Sequence, residues 1–213
     1  MIGNDLLVRF LVTLPLLLVS LVAHELAHGW AAWKLGDPTA KLHGRLSINP
    51  LRHLDAWGTG ALLVTFIGSG GSFFFGWAKP VPIVPGHFRD EQRGMMLVGA
   101  AGPAANFALA ALAAALVWGT YTWSLFTARA LVLAFVLNVV LGVLNLVPIP
   151  PLDGSRVFGG LLPRELYRRW AALDVYGNYV FMLLLVVMLA TPQVFSATIG
   201  RVLTWSYALL PGG

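Results

Sequence analysis

The chain has 213 residues, of which 58% are hydrophobic and 11% charged, and its mean hydropathy is +0.77. A soluble domain carries about twice that charged share, so water-soluble globular classes and intrinsic disorder are excluded and an integral membrane protein is expected. The absence of cysteine removes disulfide frameworks, thiolate metal sites and cysteine nucleophiles, leaving any metal to His, Asp or Glu.

The first apolar run, residues 6–33, carries only Arg9 and Glu25 as charges and is long enough to span a bilayer with tilt. It outlasts the apolar core of a secretory signal and continues into candidate functional residues, so no cleavable signal is expected. Residues 34–55 form a polar connection broken by Gly36, Pro38, Gly44 and Pro50. Residues 57–77 are apolar but punctuated by glycine, and 79–93 are polar with Pro80, Pro82 and Pro85. Spanning helices are expected over 94–118 and 130–147, then a polar stretch over 148–174 and two last apolar runs, 176–190 and 194–210. The fold class expected is an all-α polytopic membrane protein with about five spanning helices and minor β-structure in loops. Residues 1–160 would form the membrane core and 161–213 a C-terminal helical hairpin of the same domain.

His24-Glu25-Leu26-Ala27-His28 matches H-E-x-x-H. On a helix, positions i and i+4 share one face a turn apart, so two imidazoles can hold one zinc ion. Glu25, rotated by about 100° from His24, can reach a water at the metal but not easily the metal. Ionisable residues inside a spanning segment are costly and mark function; the competing reading is a pair of structural histidines bonded to neighbouring helices. Catalytic zinc needs a third protein ligand and an open position. Asp153 is the candidate, just past an apolar run in the proline-broken stretch that ends at Gly154. Irregular backbone at membrane depth is tolerated where protein or a water-filled cavity surrounds it. Its alternative role is an interfacial helix cap.

The H-E-x-x-H in the first apolar run, followed by Asn145, Pro148, Pro151, Leu152, Asp153 and Gly154, resembles the site-2 proteases, the intramembrane zinc metalloproteases of the M50 type. Ala101-Gly102-Pro103-Ala104-Ala105-Asn106-Phe107 is similar to a segment opening one of that family's core helices. The stretches around Gly36-Asp37-Pro38, Gly44-Arg45-Leu46, Asn49-Pro50 and Gly76 to Pro82 resemble a compact branch without PDZ or CBS domains. The resemblance implies one Zn2+ per chain held by His24, His28 and Asp153, with Glu25 as general base. It implies Asn145 near the scissile carbonyl, where an amide could donate to the developing oxyanion; an interhelical hydrogen bond is the other reading. Asn106 would either pack helices or line the substrate. His43, His53 and His87 are expected at the surface or interface, with His53 and Asp55 a candidate gate.

The function expected is hydrolysis of peptide bonds within or near transmembrane segments, with single-span membrane proteins as substrates; the alternative is a non-enzymatic divalent-metal carrier. The lipid bilayer is the expected surroundings and no nucleic-acid partner is expected. The substrate must unwind, and residues 40–48 or 81–84 could offer it a strand edge. The net charge of +5 is concentrated in three gaps: Lys34, Lys41, Arg45 and Arg52; Lys79, Arg89 and Arg93; and Arg156, Arg164, Arg168 and Arg169. Positive-inside bias places all three in the cytoplasm, in a bacterial-type plasma membrane. Asp153 can then meet the histidines only if 57–77 does not cross, so a re-entrant or interfacial segment is predicted there.

Overall fold

The computed structural model describes residues 6–71, 74–120 and 125–190, together with positions 200, 201 and 204. Among these the regular elements are helical: α1 (Leu6–Lys34), α2 (Thr39–Leu42), α3 (Ala56–Gly68), α4 (Glu91–Thr120), α5 (Leu125–Asn145), α6 (Asp153–Leu161), α7 (Arg164–Ala171) and α8 (Gly177–Ala190). Three of them, α1, α4 and α5, are long and apolar enough to cross a membrane. Helix α4 encloses the run predicted at 94–118, whereas α5 begins and ends before the run predicted at 130–147, so Arg129, expected before a helix, lies inside it. Helix α8 covers the run predicted at 176–190 to within a residue. The last predicted span, 194–210, lies outside the described residues except at positions 200, 201 and 204.

Burial runs opposite to that of a soluble protein. Leu7, Leu11, Val19, Leu112, Leu116 and Trp118 are exposed on the long helices, while Ser20, His24, His28, Asn106 and Asn138 are buried among them. Apolar faces turned outward suit hydrocarbon, and polar groups turned inward must then find partners within the bundle. Helix α4 is central: it packs on α1, α5 and α6. Ala110 and Ala113 meet Phe135 at the α4–α5 contact, and Ala32, Met95 and Val98 join Phe88 at the α1–α4 contact.

Residues 57–77 fold back on themselves, as the predicted re-entrant or interfacial segment requires. Helix α3 has 13 residues, or about 20 Å, with Asp55 capping it through Gly58 N at 2.9 Å. It ends in a turn where Gly70 and Gly71 adopt φ of 62° and 76°, a region costly for any side chain but glycine's. From residue 74 the chain runs back beside α3: Phe75 N donates to Thr65 Oγ1 at 2.9 Å, and Lys79 N to His53 O at 2.8 Å. An antiparallel bridge joins Leu54 to Ala78, so the segment enters and leaves at one end. The bridge is isolated, and among the described residues no strand forms where minor β-structure in loops was expected. The hairpin lies along α1, with Phe66 5.5 Å from Phe10.

Of the two proposed strand edges, 40–48 is overturned. It opens with α2, because Asp37 Oδ1 accepts Thr39 N at 3.0 Å and starts a helical turn. Residues 81–84 form neither helix nor strand, and Val84 has an extended backbone (φ −112°, ψ 100°).

The three basic gaps meet. Val84 N and His87 Nδ1 reach Asp37 at 2.7 and 2.8 Å, tying the second gap to the first. Arg164 pairs with Asp90 at 3.4 Å, and Gln92 donates to the carbonyls of Gly159 and Leu162 at 3.0 and 2.6 Å, tying the third to the second.

Candidate metal centre

Helical spacing puts His24 and His28 on the face of α1 that α4 covers, and both are buried. The approach is permitted by Gly102. A Cβ built there would lie 2.3 Å from His28 Nε2 and 2.6 Å from His24 Cε1. Asp153 arrives from the first turn of α6. Its placement depends on Gly154, where a Cβ would stand 2.2 Å from the Leu146 carbonyl oxygen, so the turn after α5 closes only around glycine.

The three side chains converge on one point. His24 Nε2 lies 3.0 Å from His28 Nε2, and each lies 3.1 Å from Asp153 Oδ2. Ligand atoms around a tetrahedral zinc with bonds of about 2.0–2.1 Å are about 3.3 Å apart, close to this triangle. The far sides of both rings are already occupied: His24 Nδ1 donates to Asn106 Oδ1 at 2.6 Å, and His28 Nδ1 to the Val98 carbonyl at 2.7 Å. With the ring protons committed there, two imidazole lone pairs and a carboxylate face one another, an arrangement a cation reconciles. Among the described residues His24, His28 and Asp153 are the one group of metal-ligating side chains so gathered. The donor set, two neutral imidazoles and a carboxylate, fits zinc. Asp153 Oδ1 faces Arg156 Nη1 at 3.5 Å, leaving Oδ2 to the histidines.

Glu25 lies beside this cluster and is half-buried. Its Oε2 accepts the backbone N–H of Val81 at 3.1 Å, so the segment after the hairpin holds the carboxylate. That segment is itself pinned: Lys79 N meets His53 O, and Lys79 O accepts from Arg45 Nη2. Asn145 sits at the last position of α5 and donates to Leu141 O in its own helix at 3.0 Å.

The other histidines divide. His43 is exposed, as expected, and His87 is partly exposed against Asp37. His53 departs from expectation. It is 2% exposed, with Nε2 2.7 Å from Ser47 O, while Asp55 caps α3; both bond the backbone at the hairpin's base. Asn106, on α4, bonds His24 of α1, a contact between helices. Asn138, which joins that same network, and Gly102 were not singled out by spacing arguments. Polar residues buried in apolar runs, and a glycine four residues before Asn106, were the available signals.

The sequence profile described as Peptidase family M50 matches residues 120–189, which include Asn145 and Asp153. YwhC of Bacillus subtilis, which bears a zinc-metalloprotease name, is 37% identical over 183 residues, covering 82% of this chain and 80% of that protein. The chain belongs to peptidase family M50. Rip2 of Mycolicibacterium smegmatis and Rip2 of Mycobacterium tuberculosis, named likewise, are each 35% identical; the chain spans 65% and 64% of their lengths. No solved structure matches. Membership in M50 bears out the expected class, a zinc metalloprotease, over the metal carrier.

Proposed function

We propose that this M50 protein hydrolyses peptide bonds of single-span membrane proteins at the centre formed by His24, His28 and Asp153, one Zn2+ per chain, with Glu25 as general base. The observation that carries the reading is the convergence of Nε2, Nε2 and Oδ2 at 3.0–3.1 Å within a bundle whose outer faces are apolar. When bound, zinc supplies a Lewis acid that polarises the scissile carbonyl and acidifies water. Glu25 takes the proton of the attacking water and hands it to the leaving nitrogen as the C–N bond breaks. Val81 N–H, held on Oε2, orients the carboxylate so that its other oxygen serves the water. Asn145 is assigned to the oxyanion, which requires its amide to leave the Leu141 carbonyl; unchanged turnover in Asn145→Ala removes it from the assignment. An extended substrate lies along 81–84. The N–H groups of Val81 and Val84 are taken by Glu25 and Asp37, and Pro82 has none, so pairing on this edge rests chiefly on carbonyl acceptors. The centre faces the cytoplasm of a bacterial-type plasma membrane, which the three joined basic gaps support.

The test is cleavage of a model single-span substrate by wild type and by Glu25→Gln, with zinc quantified in both. The expected result is equal zinc and loss of cleavage by several orders of magnitude in the variant. Retained cleavage in Glu25→Gln would overturn the reading.

A further inference from the structure

The proximal side of His24 is built from two buried amides whose direction is dictated by a single backbone carbonyl. The Ala134 carbonyl can only accept a hydrogen bond. The Asn138 atom that stands 2.9 Å from it is therefore the amide nitrogen. That turns Asn138 Oδ1 towards Asn106, where it receives the Asn106 amide nitrogen at 3.0 Å. Asn106 must then present Oδ1 to His24 Nδ1, 2.6 Å away. An oxygen that carries no hydrogen demands a proton on Nδ1, and a neutral ring protonated there has its lone pair on Nε2. Nε2 is the atom that faces His28 and Asp153. If the amides were reversed, an NH2 group would meet Nδ1, the ring proton would move to Nε2, and a hydrogen would point into the metal position. Asn106 is 0% and Asn138 3% exposed, so water cannot stand in for either partner. His28 obtains the same tautomer in one step, from the Val98 carbonyl of α4.

We propose that Asn106 and Asn138 are positioning residues that act in series, fixing the Nδ1–H tautomer of His24 so that its Nε2 is ready for a metal ion. Neither touches metal or substrate, and the inference rests on the metal reading of His24 given above. Asn138 has no hydrogen bond to the ring itself and controls it by fixing which end of the Asn106 amide faces it.

The experiment uses the full chain in detergent, zinc titrated against a chromophoric chelator, and 15N-labelled histidine. Asn138→Leu and Asn106→Leu should bind zinc about 10- to 100-fold more weakly than wild type. Asn106→Asp keeps an acceptor towards His24 but loses the donor to Asn138. It should therefore melt earlier, yet hold zinc within about threefold of wild type, because a charged acceptor serves Nδ1–H at least as well. Unchanged zinc affinity in both leucine variants overturns the proposal. So does affinity that follows melting temperature across all three, which is the behaviour of a packing role. Should the leucine variants fail to fold, the wild-type spectrum decides. Above the titration range of the ring, zinc-free protein should show His24 protonated at Nδ1 and bare at Nε2; the opposite tautomer overturns the proposal. Wild type that binds no zinc, with this tautomer present, would instead defeat the metal reading alone.

Discussion

A methyl group at position 102 would fall within 2.3–2.6 Å of two imidazoles, and the backbone on both sides is helix, so neither partner can yield cheaply. Gly102→Ala should therefore push the rings apart and lower zinc content at a fixed zinc concentration more than about tenfold while the chain still accumulates in the membrane; metal analysis of the purified variant checks it. Asp37 presents the other residue whose surroundings decide its behaviour. Burial alone would raise its pKa, but the hydrogen bonds from Thr39, His87 and the Val84 and Thr39 backbone outweigh it and hold the group at about 2. A carboxyl lowered on folding contributes its full stability above its ordinary pKa, 3.8 here, and loses it as pH falls through about 2. The stability gap between wild type and Asp37→Asn should thus be constant above about pH 5 and shrink from about pH 4 to pH 2, read from thermal melts in detergent. A gap that does not change over that window would mean the clasp does not depend on the charge.

At the scale of elements, the hairpin formed by α3 and its return does more than fill space beside α1. Its base carries the Lys79–Val81 backbone to Glu25, and Arg45, His53 and the Leu54–Ala78 bridge fix that base. Much of this was legible in the sequence. The glycines at 68, 70 and 71 and the basic residues on either side argued that 57–77 turns back, because a third crossing would have left Asp153 on the wrong face. The H-E-x-x-H spacing and the Asp153-Gly154 turn gave the metal cluster for the same reason: helical periodicity and backbone breakage are local. What was not legible depends on which helix faces which. Asn138 lies in an apolar run like any other, and no spacing rule connects it to Asn106, 32 residues earlier in the chain. His53 read as a loop histidine because its burial is created by the hairpin folding over it. Residues 40–48 read as extended until Asp37, with bonds reaching from residues up to 50 positions away, set the start of α2.

For the whole molecule the parity of crossings is the decisive quantity. Helix α1 ends, α4 begins and α5 ends at one face, and the contacts Asp37–His87, Asp90–Arg164 and Gln92–Leu162 join the three intervening segments there. Every ligand of the cluster hangs from that same face, so its placement relative to the bilayer fixes the compartment from which water reaches the site. The eleven lysines and arginines of the three gaps outweigh Arg9 and Arg129 at the opposite end, near the starts of α1 and α5, and this positive-inside bias is the ground for the proposed cytoplasmic placement of that face. The chain contains no cysteine, so single cysteines report without background. Probes placed beside Arg45, His87 and Arg164 should all be labelled from the cytoplasmic side of inverted vesicles and protected in intact cells. A probe at Leu125, the first residue of α5, should show the reverse. If the Arg45 and His87 probes reported opposite sides, residues 57–77 would cross the membrane, and Asp153 could not share a centre with His24 and His28 in the bilayer.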